Sequence, residues 1–147
     1  MYELLDITYG DVGIIKDLWE KNRLYHEKLS EFFKEFYRSV CFEQRIKAFG
    51  ELDADKVKIT VARDSGEYIG YCISTAIDGK GELESLHVDE ASRGLGVGKK
   101  LALEHLAWMR EKGCKVIGVT VSHENEATIS FYRKLGFLPN TLYMQQP

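Results

Sequence analysis

The sequence has few cysteines, no long apolar run and no leader-like start. Cys41, Cys72 and Cys114 are odd in number and widely spaced, and none belongs to a CxxC pair. Isolated thiols of this kind suit a reducing compartment and do not form a zinc site. The apolar runs are too short to span a bilayer, and residues 1–4 lack the basic and apolar regions of a signal peptide. We therefore expect a cytoplasmic protein with no membrane partner.

The chain also lacks an excess of positive charge, internal repeats and low-complexity linkers. Its formal net charge of −3 gives no support to nucleic-acid binding. No group of His, Cys, Asp and Glu has the spacing of metal ligands, so we expect no metal. With 147 residues, of which 44% are hydrophobic and 29% charged, the composition is typical of one globular domain covering residues 1–147.

What the chain does have is a glycine-rich run, R-G-L-G-V-G-K-K, at residues 93–100. The run follows a strand-like apolar segment, residues 83–88, and opens a helix-like one. Glycines at such a junction leave backbone N–H groups free, and the helix N-terminus adds partial positive charge. Arg93, Lys99 and Lys100 add full charges. The run predicts a site for a pyrophosphate or similar polyanion, although such turns also join strands to helices without any ligand.

Two familiar nucleotide-binding loops do not fit these residues. The dinucleotide loop needs G-x-G-x-x-G, whereas the glycines here stand at 94, 96 and 98, one residue short. The ATP-type loop needs G-x-x-x-x-G-K-[ST]. In this chain Arg93 stands where its first glycine belongs, and Lys100 replaces the hydroxyl that holds magnesium. An unrelated nucleotide-binding protein is therefore the weaker interpretation.

The pattern that does fit is Arg-x-x-Gly-x-Gly at residues 93–98. It resembles the acyl-CoA loop of the GNAT superfamily of N-acetyltransferases. Residues 81–88, G-E-L-E-S-L-H-V, look like the family's fourth strand. Residues 125–137 resemble its late segment, with an Asn, a Phe-Tyr pair and a Leu-Gly-Phe ending. The motifs keep their order and spacing over residues 58–144, whereas the first fifty residues carry little that identifies a family.

The resemblance implies an α/β fold with a mixed, mostly antiparallel central sheet flanked by helices, in the order β-α-α-β-β-β-α-β-α-β. Periodicity, caps and turn residues support the individual elements. These are a strand at 4–8, helices beginning at Val12 and Glu31, strands at 57–63, 68–76 and 82–88, a helix at 97–112, a strand of buried type at 115–121, a helix at 125–135 and a last strand at 137–145. The topology itself, with one parallel crossover around the loop, comes from the resemblance.

Acetyl transfer from a thioester to an amine needs a neutral amine and a stabilised leaving thiolate. Glu84, on the strand that enters the loop, is expected to accept the amine proton. Glu82, which projects from the same strand face, and water are alternatives, and either carboxylate is as readily a solvated edge group. The resemblance gives Tyr132, from the Phe-Tyr pair, the role of proton donor to the thiolate. A purely structural aromatic in the core is the alternative.

The resemblance also implies contacts to acetyl-CoA, the expected cosubstrate. Family members splay the fourth strand from the fifth, so unpaired backbone groups there bind the pantetheine. Asn125 is expected to contact the same arm or to order Tyr132, besides capping its helix. Lys134 is expected to reach the CoA phosphates, unless it is only a surface charge. The full set of expected contacts is Leu86, His87, Val88, Arg93, Gly94, Leu95, Gly96, Val97, Gly98, Lys99, Asn125 and Lys134.

These features together predict an acetyl-CoA-dependent N-acetyltransferase, an acyltransferase that acts by direct attack in a ternary complex. The acceptor is a small-molecule or peptide amine, and its identity stays open because the selecting residues lie in segments without a motif. A catalytically silent CoA-binding regulatory module is the alternative. No catalytic role is expected for His26 or His123, for want of a visible carboxylate partner. Family members are frequently dimers, so a homodimer is an option that the sequence leaves open.

Overall fold

A mixed five-stranded sheet forms the centre of the protein, whose computed structural model describes residues 1–147. The strands are β1 (Tyr2–Ile7), β2 (Val57–Asp64), β3 (Glu67–Ile77), β4 (Lys80–Val88) and β5 (Val116–Val119). They lie in sequence order across the sheet. The first four strands are antiparallel neighbours, and β4 and β5 are parallel. The parallel pair requires a long crossover, which contains a helix.

Helices cover both faces of this sheet. They are α1 (Lys16–Leu29), α2 (Lys34–Ser39), α3 (Phe42–Gly50), α4 (Val97–Glu111) and α5 (Glu126–Lys134), with 3-10 turns at Tyr9–Ile15, Ala54–Lys56 and Glu90–Ser92. One apolar cluster joins α1 and α3 to β2 and β3, and a second joins α4 and α5 to the opposite face. The alternation of side chains along each strand supplies both clusters. None of the five α-helices combines the length and apolar character that crossing a bilayer requires.

The predicted fold class is confirmed, since the sheet is mixed, mostly antiparallel and flanked by helices. The N-terminal helices differ from the prediction. The helix expected from Val12 starts as a 3-10 turn and becomes α-helical at Lys16. The single helix expected from Glu31 is two short helices, because Val40 and Cys41 adopt extended backbone conformations between them. The aromatic pattern of this region marked apolar faces and gave no sign of the break.

The predicted last strand at residues 137–145 is wrong, since these residues form neither helix nor strand. Pro139 has no N–H to donate to a ladder. Three consecutive large side chains, Leu142, Tyr143 and Met144, break the alternation that a half-buried strand requires, and all three are exposed. The strand expected at 115–121 is shorter and none of its residues is buried, because β5 lies at the edge of the sheet.

Two features of β4 shape one open edge of the sheet. Its pairing with β5 runs only from Lys80 opposite Val116 to Leu83 opposite Val119. Beyond Leu83, β4 keeps its β3 neighbour and has none on the other side. A register shift against β3 inserts Glu84 as an extra residue, so that Glu84 and Ser85 both contact groups on the α1–α3 face.

A buried polar network ties α4 to the sheet. His105 is fully buried, and its Nδ1 and Nε2 lie 2.7 Å from Ser74 Oγ and 2.8 Å from Thr60 Oγ1. Thr60 donates its hydroxyl proton to Asp6 at 2.7 Å, so its oxygen accepts from His105 Nε2–H, and Nδ1 accepts from Ser74. Burial lowers the pKa of His105 to about 3, with a smaller contribution from the Lys58 charge. The imidazole is therefore neutral and fixes the position of α4, whose first turn belongs to the glycine-rich loop.

Candidate active site

The loop between β4 and α4 presents an unbroken row of backbone donors. Gly94 and Gly96 have φ values of +85° and +79°, the left-handed region that side chains disfavour. The first hydrogen bond of α4 runs from Lys100 N–H to the Gly96 carbonyl at 3.0 Å. The six N–H groups of residues 94–99 donate to no protein atom, and the first turn of α4 holds no acidic side chain. Six free donors at a helix N-terminus suit an anionic group.

The loop is packed against the end of β4 and against α5. Arg93 Nε donates to the Val88 carbonyl at 3.1 Å, which holds the arginine beside the strand end. A Cβ placed on Gly98 would lie 3.5 Å from Val88 Cγ2 and 3.7 Å from the Phe131 ring. Cβ atoms placed on Gly94 or Gly96 would meet nothing within 4 Å. The loop is thus open around Gly94 and Gly96, while at Gly98 it packs against the fold.

The open edge of β4 contributes backbone groups next to this loop. Leu86, His87 and Val88, the residues expected to bind the pantetheine, all lie beyond the last β4–β5 pair. The side chain of His87 is buried against Tyr71, with ring centroids 6.5 Å apart. Burial lowers the pKa of His87 to about 4, and the Arg93 charge adds to the effect. His87 is therefore neutral at physiological pH, and its backbone lies beyond the last β4–β5 pair.

The two candidate carboxylates lie on β4 with different partners. Glu84 Oε2 accepts a hydrogen bond from Thr75 Oγ1 at 2.7 Å, and Glu84 Oε1 lies 3.7 Å from Arg45 Nη2. Glu82 Oε1 accepts from Thr120 Oγ1 at 3.3 Å, across the point where β4 and β5 separate. The Glu84 side chain is 24% exposed. Of the two, Glu84 is thus the carboxylate held by the elements of the α1–α3 face.

Tyr132 lies in α5 with its ring in the second apolar cluster. The ring packs edge-on against Phe131 and Phe137, with centroids 5.0 and 5.5 Å away. The hydroxyl makes no hydrogen bond within the protein. It is also not fully occluded, since the only fully occluded side-chain polar atom without a partner is His26 Nδ1. Burial raises the pKa of Tyr132, so the phenol stays protonated. A purely structural role in the core therefore accounts for the aromatic ring of Tyr132 but not for its hydroxyl.

Asn125 is buried and caps α5, while Lys134 is exposed. Asn125 Oδ1 accepts from Thr128 N–H at 3.2 Å and from Tyr25 hydroxyl at 3.4 Å. The expected capping role is therefore observed, and Tyr25 adds a contact from α1. Lys134 forms no ion pair and lies one helical turn beyond Phe131, the residue that faces Gly98.

Three side chains near the open edge carried no sequence signal. Tyr25 from α1 contacts Asn125, Arg45 from α3 approaches Glu84, and Thr75 from β3 donates to Glu84. Tyr25 and Arg45 reach their partners across long sequence separations, Thr75 pairs with Glu84 across the β3–β4 hairpin, and none of the three belongs to a motif. His26 packs against Tyr37 with centroids 5.7 Å apart. No group of three or more His, Cys, Asp or Glu side chains is close enough to hold a metal ion.

The sequence of this chain is similar to that of known acetyltransferases. A sequence model of the acetyltransferase (GNAT) family matches residues 18–137. The uncharacterised N-acetyltransferase YobR of Bacillus subtilis (strain 168) is 35% identical over 65 residues, 44% of this chain and 26% of YobR. Mycothiol acetyltransferase of Saccharopolyspora erythraea is 37% identical over 60 residues, 41% of this chain and 20% of that enzyme. The matched stretches thus span about a quarter or less of these curated relatives.

Solved structures share the fold at low identity. The tetramutant of BH1408 protein from Bacillus halodurans has a TM-score of 0.79 at 20% identity, over 99% of both chains. Aminoglycoside N-acetyltransferase AAC(6')-Iy, in complex with CoA, has a TM-score of 0.72 at 18% identity, over 100% of this chain and 94% of that one. The family match covers most of the chain, and it confirms the resemblance read from the loop and the late segment. This chain belongs to the acetyltransferase (GNAT) family.

Proposed function

We propose that residues 1–147 form an acetyl-CoA-dependent N-acetyltransferase domain that moves an acetyl group to a primary amine by direct attack in a ternary complex. The observation that carries this proposal is the row of six free N–H groups at residues 94–99, directly beside the unpaired edge of β4. One chain segment thereby offers an anion site and, next to it, extended backbone with free hydrogen-bonding groups. A pyrophosphate followed by an amide-containing arm matches that arrangement.

The chain's own groups would hold acetyl-CoA as follows. The backbone of residues 94–99 binds the pyrophosphate, with Arg93 and Lys99 adding positive charge. The open edge of β4 at residues 86–88 binds the pantetheine amides and orients the acetyl carbonyl. Asn125 is proposed to contact the same arm, and Lys134 to reach the phosphates. When bound, acetyl-CoA supplies the activated acyl group.

The proposed proton transfers use two side chains on either side of the open edge. Glu84 accepts a proton from the incoming ammonium, which frees the nitrogen lone pair. The nitrogen then bonds to the acyl carbon as the carbon–sulfur bond breaks, and Tyr132 gives its proton to the departing thiolate. The second nitrogen proton restores the phenol. Burial raises the pKa of Tyr132, so the phenol carries the proton that this step needs at neutral pH.

The relatives support an amine as the acceptor. One structural neighbour is an aminoglycoside N-acetyltransferase in complex with CoA, and several sequence relatives are mycothiol acetyltransferases. We propose a small-molecule or peptide amine as the acceptor of this chain.

We also propose a cytoplasmic location, supported by three widely spaced cysteines that form no disulfide. We also propose a homodimer, and its only support is the resemblance to a family whose members are frequently dimers.

The test is a screen of primary amines with acetyl-CoA, in which the release of free thiol measures acetyl transfer. Transfer to at least one amine, together with CoA-dependent thermal stabilisation, is the expected result. Stabilisation by CoA without transfer to any amine would instead identify the catalytically silent CoA-binding module. Stabilisation by ATP or NAD in preference to CoA would overturn the assignment of the loop.

A further inference from the structure

Arg45 and Glu84 form an ion pair on the sheet face covered by α1 and α3. Arg45 comes from α3 and Glu84 from the bulge in β4, and their nearest charged atoms are 3.7 Å apart. The position matters because β4 loses its β5 neighbour directly after Leu83. The pair therefore stands where the open edge begins, on the side that α1 and α3 cover.

The guanidinium of Arg45 has unused hydrogen-bonding capacity. At 3.7 Å the ion pair contains no hydrogen bond, and the side chain donates to no other protein atom. The three other arginines paired with carboxylates all donate hydrogen bonds to them; these are Arg23, Arg38 and Arg63. A guanidinium offers five donors in a fork that matches a carboxylate. Arg45 is thus oriented toward a carboxylate partner that the protein itself supplies only loosely.

The surroundings hold both charges in place while leaving them accessible. The Arg45 guanidinium lies over the ring of Phe49, 4.9 Å from its centroid, and Phe49 is buried in the core. The Arg45 side chain is nevertheless 40% exposed. Glu84 is fixed through its other oxygen by Thr75 at 2.7 Å. A fixed negative group and an accessible positive group therefore stand side by side.

We propose that this pair selects an acceptor that carries a carboxylate beside its amine, a free amino acid. The inference rests on the proposed function, since it assigns the acceptor of the same site. The ammonium binds Glu84 and the carboxylate binds Arg45, so the zwitterion replaces one loose ion pair with two hydrogen-bonded ones. An amine without a carboxylate also binds Glu84 through its ammonium. Arg45 then loses Glu84 as a partner and gains no other.

The experiment compares each of a set of L-amino acids with its amide and its decarboxylated amine, using acetyl-CoA and thiol release. We expect kcat/KM for the best amino acid to exceed that for its amide by about 30-fold. Arg45→Gln should remove this preference by raising KM for the amino acid about 30-fold, with the amide changed less than about threefold. Arg45→Lys should restore part of it, because the charge returns without the fork.

Arg63→Gln is the matched control, since Arg63 is also 40% exposed and paired with a carboxylate, Glu3, at the far edge of the sheet. It should leave the preference unchanged. CoA-dependent thermal stabilisation of Arg45→Gln should equal that of the wild type, which shows that the variant folds. Equal rates with amino acids and amides would overturn the carboxylate assignment and leave the proposed function intact. Thiol release with none of these compounds would overturn the carboxylate assignment, and only a failure of the wider screen of primary amines would overturn the proposed function as well.

Discussion

The Tyr132 side chain has a ring that the fold uses and a hydroxyl that it does not. Because the hydroxyl makes no hydrogen bond within the protein, Tyr132→Phe should change the free energy of unfolding by less than about 0.5 kcal/mol. If the hydroxyl protonates the thiolate, kcat should fall by about 100-fold while CoA binding stays close to normal. Steady-state kinetics and CoA titration measure both quantities.

A second tyrosine gives the comparison for this variant. Tyr71 is fully buried and its hydroxyl lies 2.8 Å from Ser85 Oγ, so Tyr71→Phe should destabilise the protein by about 1–2 kcal/mol. The two variants therefore separate a hydroxyl with a structural partner from one without. Unchanged turnover in Tyr132→Phe would remove this residue from the proton-donor role.

The two ends of α4 offer a matched test of the loop. Gly96 precedes the helix and Gly113 follows it, and both have a φ of +79° with open space where a Cβ would be. A valine at either position should therefore cost a similar amount of stability, about 1–3 kcal/mol. Only Gly96→Val changes the row of free N–H groups, so only this variant should lose CoA-dependent thermal stabilisation. A Gly96→Val protein that is still stabilised by CoA would contradict the assignment of the loop.

The same loop shows what the sequence alone can predict. Its glycines, its flanking strand and the start of α4 are contiguous, so local patterns and one family motif were enough to find it. The approach of Arg45 to Glu84 depends on the bulge in β4 and on the docking of α3, and neither leaves a local pattern. The last strand fitted the element order that the resemblance implies, but a strand also needs a neighbour, which residues 137–145 do not have.

At the scale of the whole molecule, two buried neutral histidines make the stability of the elements around the candidate site depend on pH. His105 joins α4 to β1, β2 and β3 through hydroxyls, and His87 lies on β4 beside the open edge. Burial outweighs the opposing charges of Asp6 near His105 and Asp89 near His87, and it lowers their pKa values to about 3 and about 4. Burial also lowers the pKa of His26. Acid should therefore weaken the packing of both elements that frame the site.

The sign of the pH dependence follows from proton uptake. Between pH 6.5 and about 4 the unfolded chain binds protons at His87 and His105 that the folded protein does not, so the free energy of unfolding falls as the pH falls. Two such groups give a slope of about 2.7 kcal/mol per pH unit near pH 5. His105→Gln should lower stability at pH 7 and reduce the slope by about half. Urea unfolding at several pH values measures this, and a variant that keeps the full slope would show that His105 is already charged in the folded protein.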